Sequence, residues 1–272
     1  MDKNNDALKT DKEIFTSRRA FSNIPLPSRE NKPRQQGLTM LIDWGIGLKE
    51  QADIVEIAQP FIDIAKIAVG IPGLLPLDLL RRKIELYYSN DILAFPGGMY
   101  LEYAISLGKT DAYFEHCAEA GFRLIEVSDN VDVLPKDVKQ GIIRKAIKDY
   151  GFRVLGETGS KTEVSSAQHL IDDAKACLDA GAWKVLVEGN ELYDTSFKEE
   201  LIQELTTAVP ADKWIIEIPG VWLPDIHGHE RHSMILRLIK WFGPDVNLAN
   251  IDSRELLMVE TLRRKHGVAG YH

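Results

Sequence analysis

Cysteine is nearly absent from the chain, which has only two, Cys117 and Cys177, among 272 residues. Both fall in helical patterns, "YFEHCAEAG" and "DAKACLDAG", and they lie far apart in the sequence. Two such residues provide neither a zinc-binding spacing nor a disulfide framework. The sequence therefore predicts reduced, partly buried thiols and a cytoplasmic protein.

The chain also lacks an excess of positive charge and an uninterrupted apolar stretch. The formal net charge of −8 provides no overall electrostatic attraction for nucleic acid, so no nucleic-acid partner is expected. The most apolar stretch, "FIDIAKIAVGIPGLLPL", is interrupted by Asp63, Lys66 and two prolines, which argues against a membrane span. The first residues, "MDKNNDALKTDKEIF", have no apolar core and do not look like a signal peptide.

The polar start of the chain predicts an arm, residues 1–36, with little structure of its own, followed by one domain over residues 37–272. In that domain, short β-branched and aliphatic runs alternate with longer amphipathic stretches, which indicates parallel βαβ units. The predicted strands are 38–43, 62–69, 91–98, 122–129, 152–157, 183–188, 213–219 and 246–251. Eight units favour an α/β (β/α)₈ barrel, the TIM barrel, over an open doubly wound sheet. No G-x-G-x-x-G follows the first strand, which further weakens a dinucleotide-binding fold.

Acidic residues recur at the ends of the predicted strands. Glu126, Glu157, Glu188 and Glu217 are separated by 31, 31 and 29 residues, about one βα unit each, and Asp43 ends the first strand. Barrel strands present their carboxyl ends at one mouth, where barrel enzymes carry out their chemistry. So many acids in one place repel one another and require positive charge nearby. We expect Mg²⁺, with carboxylate ligands, and the amines of Lys66 and Lys161.

Two further features are weaker. Asn250 ends the eighth strand in "VNLANI" and can offer an amide to a ligand. The segment "DIHGHERHS" at 225–233 is rich in histidine, but histidines on a loop are more often exposed than bound to metal. Whether this segment binds a metal is left open by the sequence.

Five stretches resemble the phosphosulfolactate synthase family: "NKPRQQGLTMLID", "EVSDN", "GETGSK", "IIEIP" and "GPDVNLANI" followed by "ETLRR". The likeness covers roughly residues 25 to 265 and extends to plant heat-stress-associated relatives. It implies a (β/α)₈ barrel that uses Mg²⁺ to add sulfite to phosphoenolpyruvate, a small anionic substrate. The residues it places at or near the site are Arg34, Asp43, Lys66, Glu126, Ser128, Glu157, Lys161, Glu188, Glu217 and Asn250.

The roles implied by this resemblance divide the site in three. Lys161 is the expected proton donor and Lys66 the second catalytic residue. Glu157, Glu188 and Glu217 are the expected metal ligands. Substrate binding is expected from Arg34, Asp43, Glu126, Ser128 and Asn250.

The chain departs from the family's usual pattern at three loops. The family typically shows a Gly-Trp-Gly-Thr-Ser-like loop after the second strand and an Ala-Arg-Glu-Ser-Gly-like run after the sixth. This chain has "AVGIPG" and "GNEL" there, and "GVWLPDIHGHERH" after the seventh strand is longer than usual. Two alternatives therefore stay open: a related lyase or synthase with another nucleophile or acceptor, and a barrel without catalysis. The oligomeric state is also open, and a homo-oligomer is compatible with the sequence.

Overall fold

A computed structural model describes residues 19–130, 133–160, 164–192, 198–220 and 226–266. Within these ranges the chain forms eight β-strands that alternate with helices. The strands are β1 (Thr39–Asp43), β2 (Ile64–Ile67), β3 (Leu93–Pro96), β4 (Leu124–Val127), β5 (Arg153–Thr158), β6 (Lys184–Val187), β7 (Trp214–Glu217) and β8 (Leu248–Ile251). Each of them lies within one residue of, or inside, a stretch whose apolar pattern predicts a strand.

The α-helices of the described ranges follow the strands and cover the sheet. They are α1 (Leu48–Ala58), α2 (Leu77–Tyr88), α3 (Gly98–Ser106), α4 (Thr110–Ala120), α5 (Lys136–Tyr150), α6 (Ala167–Asp179), α7 (Gly189–Leu192), α8 (Glu199–Ala208), α9 (Gly228–Phe242) and α10 (Leu256–Arg263). Gly121 and Gly151 end α4 and α5 in the left-handed conformation that glycine adopts without strain. No helix in the described part of the chain combines the length and apolar character needed to cross a membrane.

The strands form one parallel sheet in the order β3-β2-β1-β8-β7-β6-β5-β4. β1 pairs with β8, so the first and last units meet, and β3 lies next to β4 across the remaining gap. This arrangement is a nearly closed eight-stranded barrel, as the eight strand–helix units predict. The open doubly wound sheet is ruled out because the two end strands of this order, β3 and β4, lie next to each other instead of at opposite edges.

Two apolar layers hold the barrel together. One residue or more from every strand fills the barrel interior: Leu38, Met40, Ile64, Phe95, Leu124, Leu155, Leu186, Ile215 and Ala249. The alternate positions face outward and pack against the helices in a second, larger cluster that contains both cysteines. The thiols are free and buried, and burial raises the pKa of each to about 12.

The end of the polar arm packs against the amino-terminal end of the barrel. Arg29 is buried and donates to the carbonyls of Gly37 and Pro244. Arg34 is buried too, with its Nε 3.0 Å from Oδ1 of Asp63, the residue just before β2. This contact corrects the expectation that Arg34 binds substrate. The arm's last residues fold onto the barrel, which places the guanidinium at the end of the strands opposite the acids.

Candidate active site

A ring of ionisable side chains lies inside the barrel directly above the apolar interior. Successive side chains of a strand alternate between its two faces, so a residue two positions after an interior residue also faces inward. Lys66 follows Ile64 by two positions, and the same relation places four acids above interior leucines or isoleucine: Glu126, Glu157, Glu188 and Glu217. All five side chains are buried, each at most 8% exposed.

Three of the acids form a compact group of oxygen donors. Glu157, Glu188 and Glu217 each place one carboxylate oxygen within 4.8 Å of the others. Glu157 lies on β5, Glu188 directly follows β6 and Glu217 ends β7, so the barrel rather than a long loop sets their separation. Buried carboxylates this close need a cation, and a hard divalent ion with oxygen ligands fits this set. The three residues predicted to bind metal are therefore brought together.

Lys66 bridges the two sides of the ring. Its Nζ lies 3.0 Å from Oε2 of Glu126 and 3.0 Å from Oε1 of Glu217. Burial opposes the charged ammonium, but Glu126, Glu217 and Glu157 outweigh this effect and raise the pKa of Lys66 well above its usual value. Lys66 is therefore a fixed positive charge at neutral pH rather than an easily released proton.

Glu126 has the opposite tendency, toward its neutral form. Burial raises its pKa well above the usual range, Lys66 opposes the shift, and the neighbouring Glu157 and Glu217 add to it. Glu157 contributes to this shift through its charge and through its side-chain proximity to Glu126, and both favour the protonated form of Glu126. One amine cannot neutralise four carboxylates, so retaining a proton on Glu126 reduces the repulsion.

Helix α3 begins against this ring. A Cβ atom added to Gly98 would lie 2.4 Å from Oγ of Ser128 and 2.7 Å from Oε1 of Glu126, which leaves room only for glycine. Ser128, two residues past Glu126, is fully buried and donates to Glu102 on α3. Glycine at position 98, after Pro96 and Gly97, thus has a steric reason. Glu102 is a site residue that the sequence pattern does not reveal, because it lies on a helix.

Asp43 ends β1 at the same rim but faces away from the ring. Met40 faces the barrel interior, so alternation along β1 turns Ile42 inward as well and Asp43 outward, toward the helices. Its carboxylate pairs with Lys83 Nζ at 2.8 Å and accepts from Tyr87 and from the amides of Gly45 and Ile46. This saturated environment corrects its predicted role: Asp43 organises the turn after β1 and the packing of α2.

Two more buried residues shape the loops around the ring and were not among the predicted site residues. Glu191 on α7 accepts from the amides of Ser160 and Ser165, and Ser165 also donates its hydroxyl. Lys139 on α5 donates to the carbonyl of Glu157. Glu191 follows Glu188 by three residues, a spacing visible in "EGNEL", whereas nothing in the sequence indicates the contact of Lys139.

The remaining predicted residues differ in where they lie. Asn250 is buried in β8, beside the end of β7. Lys161 lies outside the described residues. In the histidine-rich segment, His227 and His229 are exposed, and no described histidine joins a group of residues able to hold a metal.

A nearly closed parallel barrel with buried acids at the carboxyl ends of adjacent strands defines a (β/α)₈ barrel of the enzyme type, and three of its acids could hold a metal ion. The chain belongs to the (2R)-phospho-3-sulfolactate synthase (ComA) family, whose sequence profile matches residues 27–268. This membership confirms the family, the fold and the enzyme class that the sequence motifs indicate.

The relatives and structures that resemble the chain agree with this assignment. The phosphosulfolactate synthase of Methanocaldococcus jannaschii is 34% identical over 242 residues, which are 85% of this chain and 92% of that protein. Protein HEAT-STRESS-ASSOCIATED 32 of Arabidopsis thaliana is 24% identical and is covered over 89% of its length by 88% of this chain. The solved 3-hexulose-6-phosphate synthase from Salmonella typhimurium superposes with a TM-score of 0.51 at 13% identity, covering 83% of this chain and 99% of that one. This last likeness concerns the fold alone.

Proposed function

We propose that the protein is a phosphosulfolactate synthase, a lyase that adds sulfite to phosphoenolpyruvate with the help of Mg²⁺. The observation that carries the proposal is the buried triad Glu157, Glu188 and Glu217 beside Lys66, in a chain that belongs to this family over residues 27–268. In this reaction the lone pair of the sulfite sulfur forms a bond to the methylene carbon of phosphoenolpyruvate. The π electrons of its carbon–carbon double bond move toward the carboxylate, and the neighbouring carbon then takes up a proton.

The three glutamates would hold Mg²⁺. The ion, when bound, offers positive charge to the substrate carboxylate as its negative charge increases. Lys66 contributes a second, permanent positive charge next to the same carboxylates, because its pKa is raised and its amine is fixed by Glu126 and Glu217. The three glutamates and Lys66 are held by the barrel before substrate binds, so the site needs little reorganisation as negative charge develops on the substrate.

Proton delivery to the carbon is assigned to Lys161. Ser160 and Ser165, which flank Lys161 in the sequence, both donate their amides to Glu191. Glu191 lies three residues after Glu188, so the proposed metal site and the partner of these two serines belong to one short stretch of chain. Since Lys66 holds its proton tightly, Lys161 suits the role of general acid better.

The remaining polar groups of the ring are assigned to substrate orientation. Ser128 and Glu126 lie together beside the first turn of α3, and we assign both to this role. The proposed partner is a small anionic substrate, and the proposed compartment is the cytoplasm, which suits two buried free thiols. Arg34 has no part in the site because it pairs with Asp63 at the opposite end.

The deciding experiment measures consumption of phosphoenolpyruvate by the purified protein with sulfite and Mg²⁺, with sulfide and other nucleophiles run in parallel. We expect sulfite-dependent turnover that is lost in Glu157→Gln and falls about 10²–10⁴-fold in Lys161→Ala. Full activity of Lys161→Ala would assign the proton to another group. Turnover with a different nucleophile alone would identify a related lyase, and no turnover with any would identify a barrel without this chemistry.

A further inference from the structure

Strand β8 contains an irregularity at the rim of the site. Thr39 of β1 pairs with Leu248 and Leu41 with Ile251, so two steps along β1 correspond to three along β8. The extra residue is a β-bulge, a feature that re-aims side chains next to functional sites. Within it, Asn250 adopts a φ of +58°, a left-handed conformation that asparagine tolerates better than most residues.

The side chain of Asn250 is buried but incompletely used. The residue is 3% exposed, and its Oδ1 accepts no hydrogen bond from the described residues. A buried polar atom without a partner costs about 1–3 kcal/mol, so a ligand is the natural explanation. Phosphoenolpyruvate and sulfite present acceptor oxygens, which an amide oxygen would repel. A cation or its bound water fits instead.

The position of Asn250 agrees with a cation. Glu217 pairs in register with Ala249, the residue before Asn250, and the amide of Ile218 donates to the carbonyl of Ala249. Asn250 therefore adjoins the metal-binding end of β7. Mg²⁺ prefers six oxygen ligands, and three glutamates leave positions that a neutral amide oxygen can complete without adding charge.

Arg231 of α9 holds this bulge. It is 5% exposed, and its Nη2 donates to the carbonyl of Asn250 at 2.8 Å while Nη1 donates to the carbonyl of Pro219. Its Nε lies 2.8 Å from Oε1 of Glu255, and Nη2 contacts Oε2 of the same carboxylate. Arg231 thus connects three parts of the rim: Pro219 after β7, the bulge at Asn250, and Glu255 at the start of α10. Lysine cannot reproduce this forked geometry.

We propose that Asn250 supplies a neutral oxygen ligand to the cation held by Glu157, Glu188 and Glu217, and that Arg231 is the positioning residue that keeps it aimed there. The inference rests on the metal site assigned under the proposed function. It also assigns a role to Arg231, the buried arginine of the histidine-rich segment 225–233, whose function the sequence leaves open. Outer residues that orient ligands in this way typically change metal affinity about 10–100-fold.

The test measures Mg²⁺ binding by isothermal titration calorimetry on the whole protein without substrate. Asn250→Gly keeps the left-handed backbone but removes the amide, and Arg231→Lys keeps the charge but loses the fork. We expect each to weaken Mg²⁺ affinity about tenfold or more, and the double variant to be no weaker than Asn250→Gly. Arg237→Lys, an exposed change on the same helix, is the control and should leave affinity unchanged.

Three outcomes would overturn the inference. The first is unchanged Mg²⁺ affinity in Asn250→Gly. The second is a loss of affinity in the double variant that equals the product of the two single losses. The third is a lower melting temperature of Arg231→Lys with wild-type Mg²⁺ affinity, which would make Arg231 merely structural. If Arg231→Lys does not fold, Glu255→Gln replaces it, because it removes the charge that orients Arg231. Failure of the proposed function has a different signature, namely intact Mg²⁺ binding by the wild type without any sulfite-dependent consumption of phosphoenolpyruvate.

Discussion

At the scale of single residues, Gly98 shows how little space surrounds the ring of acids. We expect Gly98→Ala to lower kcat/KM at least tenfold, because its methyl group would displace Ser128 and Glu126, which are 2.4 and 2.7 Å from the added atom. The free energy of unfolding should fall by about 1–3 kcal/mol, as for other overpacked sites. Steady-state kinetics and denaturant unfolding measure both. Gly141→Ala on α5 is the control, since its Cβ would meet no atom within 4 Å, and wild-type-like kinetics in both variants would refute the crowding.

Arg34 gives a second test at this scale, because it separates the residue's sequence-based role from its structural one. Arg34→Ala leaves Asp63 buried without its guanidinium partner, and burial already raises the pKa of that carboxyl. Breaking such a pair costs about 3–5 kcal/mol, so the melting temperature should fall clearly. KM for phosphoenolpyruvate should stay unchanged in the folded fraction. A raised KM at unchanged stability would instead return Arg34 to the substrate.

At the scale of elements, Lys139 connects three of them. From α5 it donates to the carbonyl of Glu157 on β5 and pairs at 2.7 Å with both Asp129, after β4, and Asp173 on α6. Its pKa is raised because Cys177 and these two aspartates outweigh the effect of burial. We expect Lys139→Met to reduce the free energy of unfolding by about 3–5 kcal/mol, since two acids lose their partner. Thermal and denaturant unfolding measure this loss.

The control for Lys139 lies on the same helix. Lys136 is exposed, one turn earlier on α5, and Lys136→Met should change stability by no more than about ±0.5 kcal/mol. Equal effects of the two variants would show that the contacts of Lys139 contribute nothing special. Because Lys139 also holds the backbone of Glu157, its loss should weaken Mg²⁺ binding as well, which an effect confined to packing would not do.

At the scale of the whole molecule, the two ends of the barrel differ in their electrostatics. The carboxyl-terminal end concentrates acids, whereas the amino-terminal end holds buried or partly buried cations with lowered pKa values. Burial lowers the pKa of Lys32 and of Lys184 to about 8, and that of Arg263 to about 9. Lys32 donates to three backbone carbonyls, those of Gln59, Ile62 and Asn90. The amino-terminal end is thus held by cation–carbonyl contacts that suit a structural role.

This difference predicts a pH effect that Lys184→Met can isolate. The pKa of Lys184 is about 8 in the folded protein against 10.5 as its ordinary value, so between these values the unfolded chain binds more protons. Stability contributed by this group therefore rises with pH in that window, and at neutral pH its buried charge is a cost. The destabilisation caused by Lys184→Met should be larger at pH 9.5 than at pH 7 by about 1–2 kcal/mol. Urea unfolding at both values measures it, and a pH-independent difference would contradict the lowered pKa.

The sequence by itself determined the barrel and most of its ring of acids. Eight apolar runs alternating with amphipathic ones specify parallel βαβ units, and glutamates recurring once per unit must meet where the strands end. Strand ends are therefore readable from spacing alone, which is why Glu126, Glu157, Glu188 and Glu217 were placed together. Lys66 was recognisable for a related reason, since an amine within an apolar strand has few other environments.

Only the tertiary structure decided which face each end residue takes and what lies beyond the strands. Strands covered on both sides are apolar at every position, so their sequence does not distinguish inside from outside. Asp43 faces outward and pairs with Lys83, although its place at a strand end grouped it with the glutamates. Other features depend on contacts between distant segments of the chain. Examples are the contact of Arg231 with Asn250, the pairing of β1 with β8 at the bulge, and the contact of Arg29 with Pro244. Such contacts arise from closure of the barrel, which no local pattern encodes.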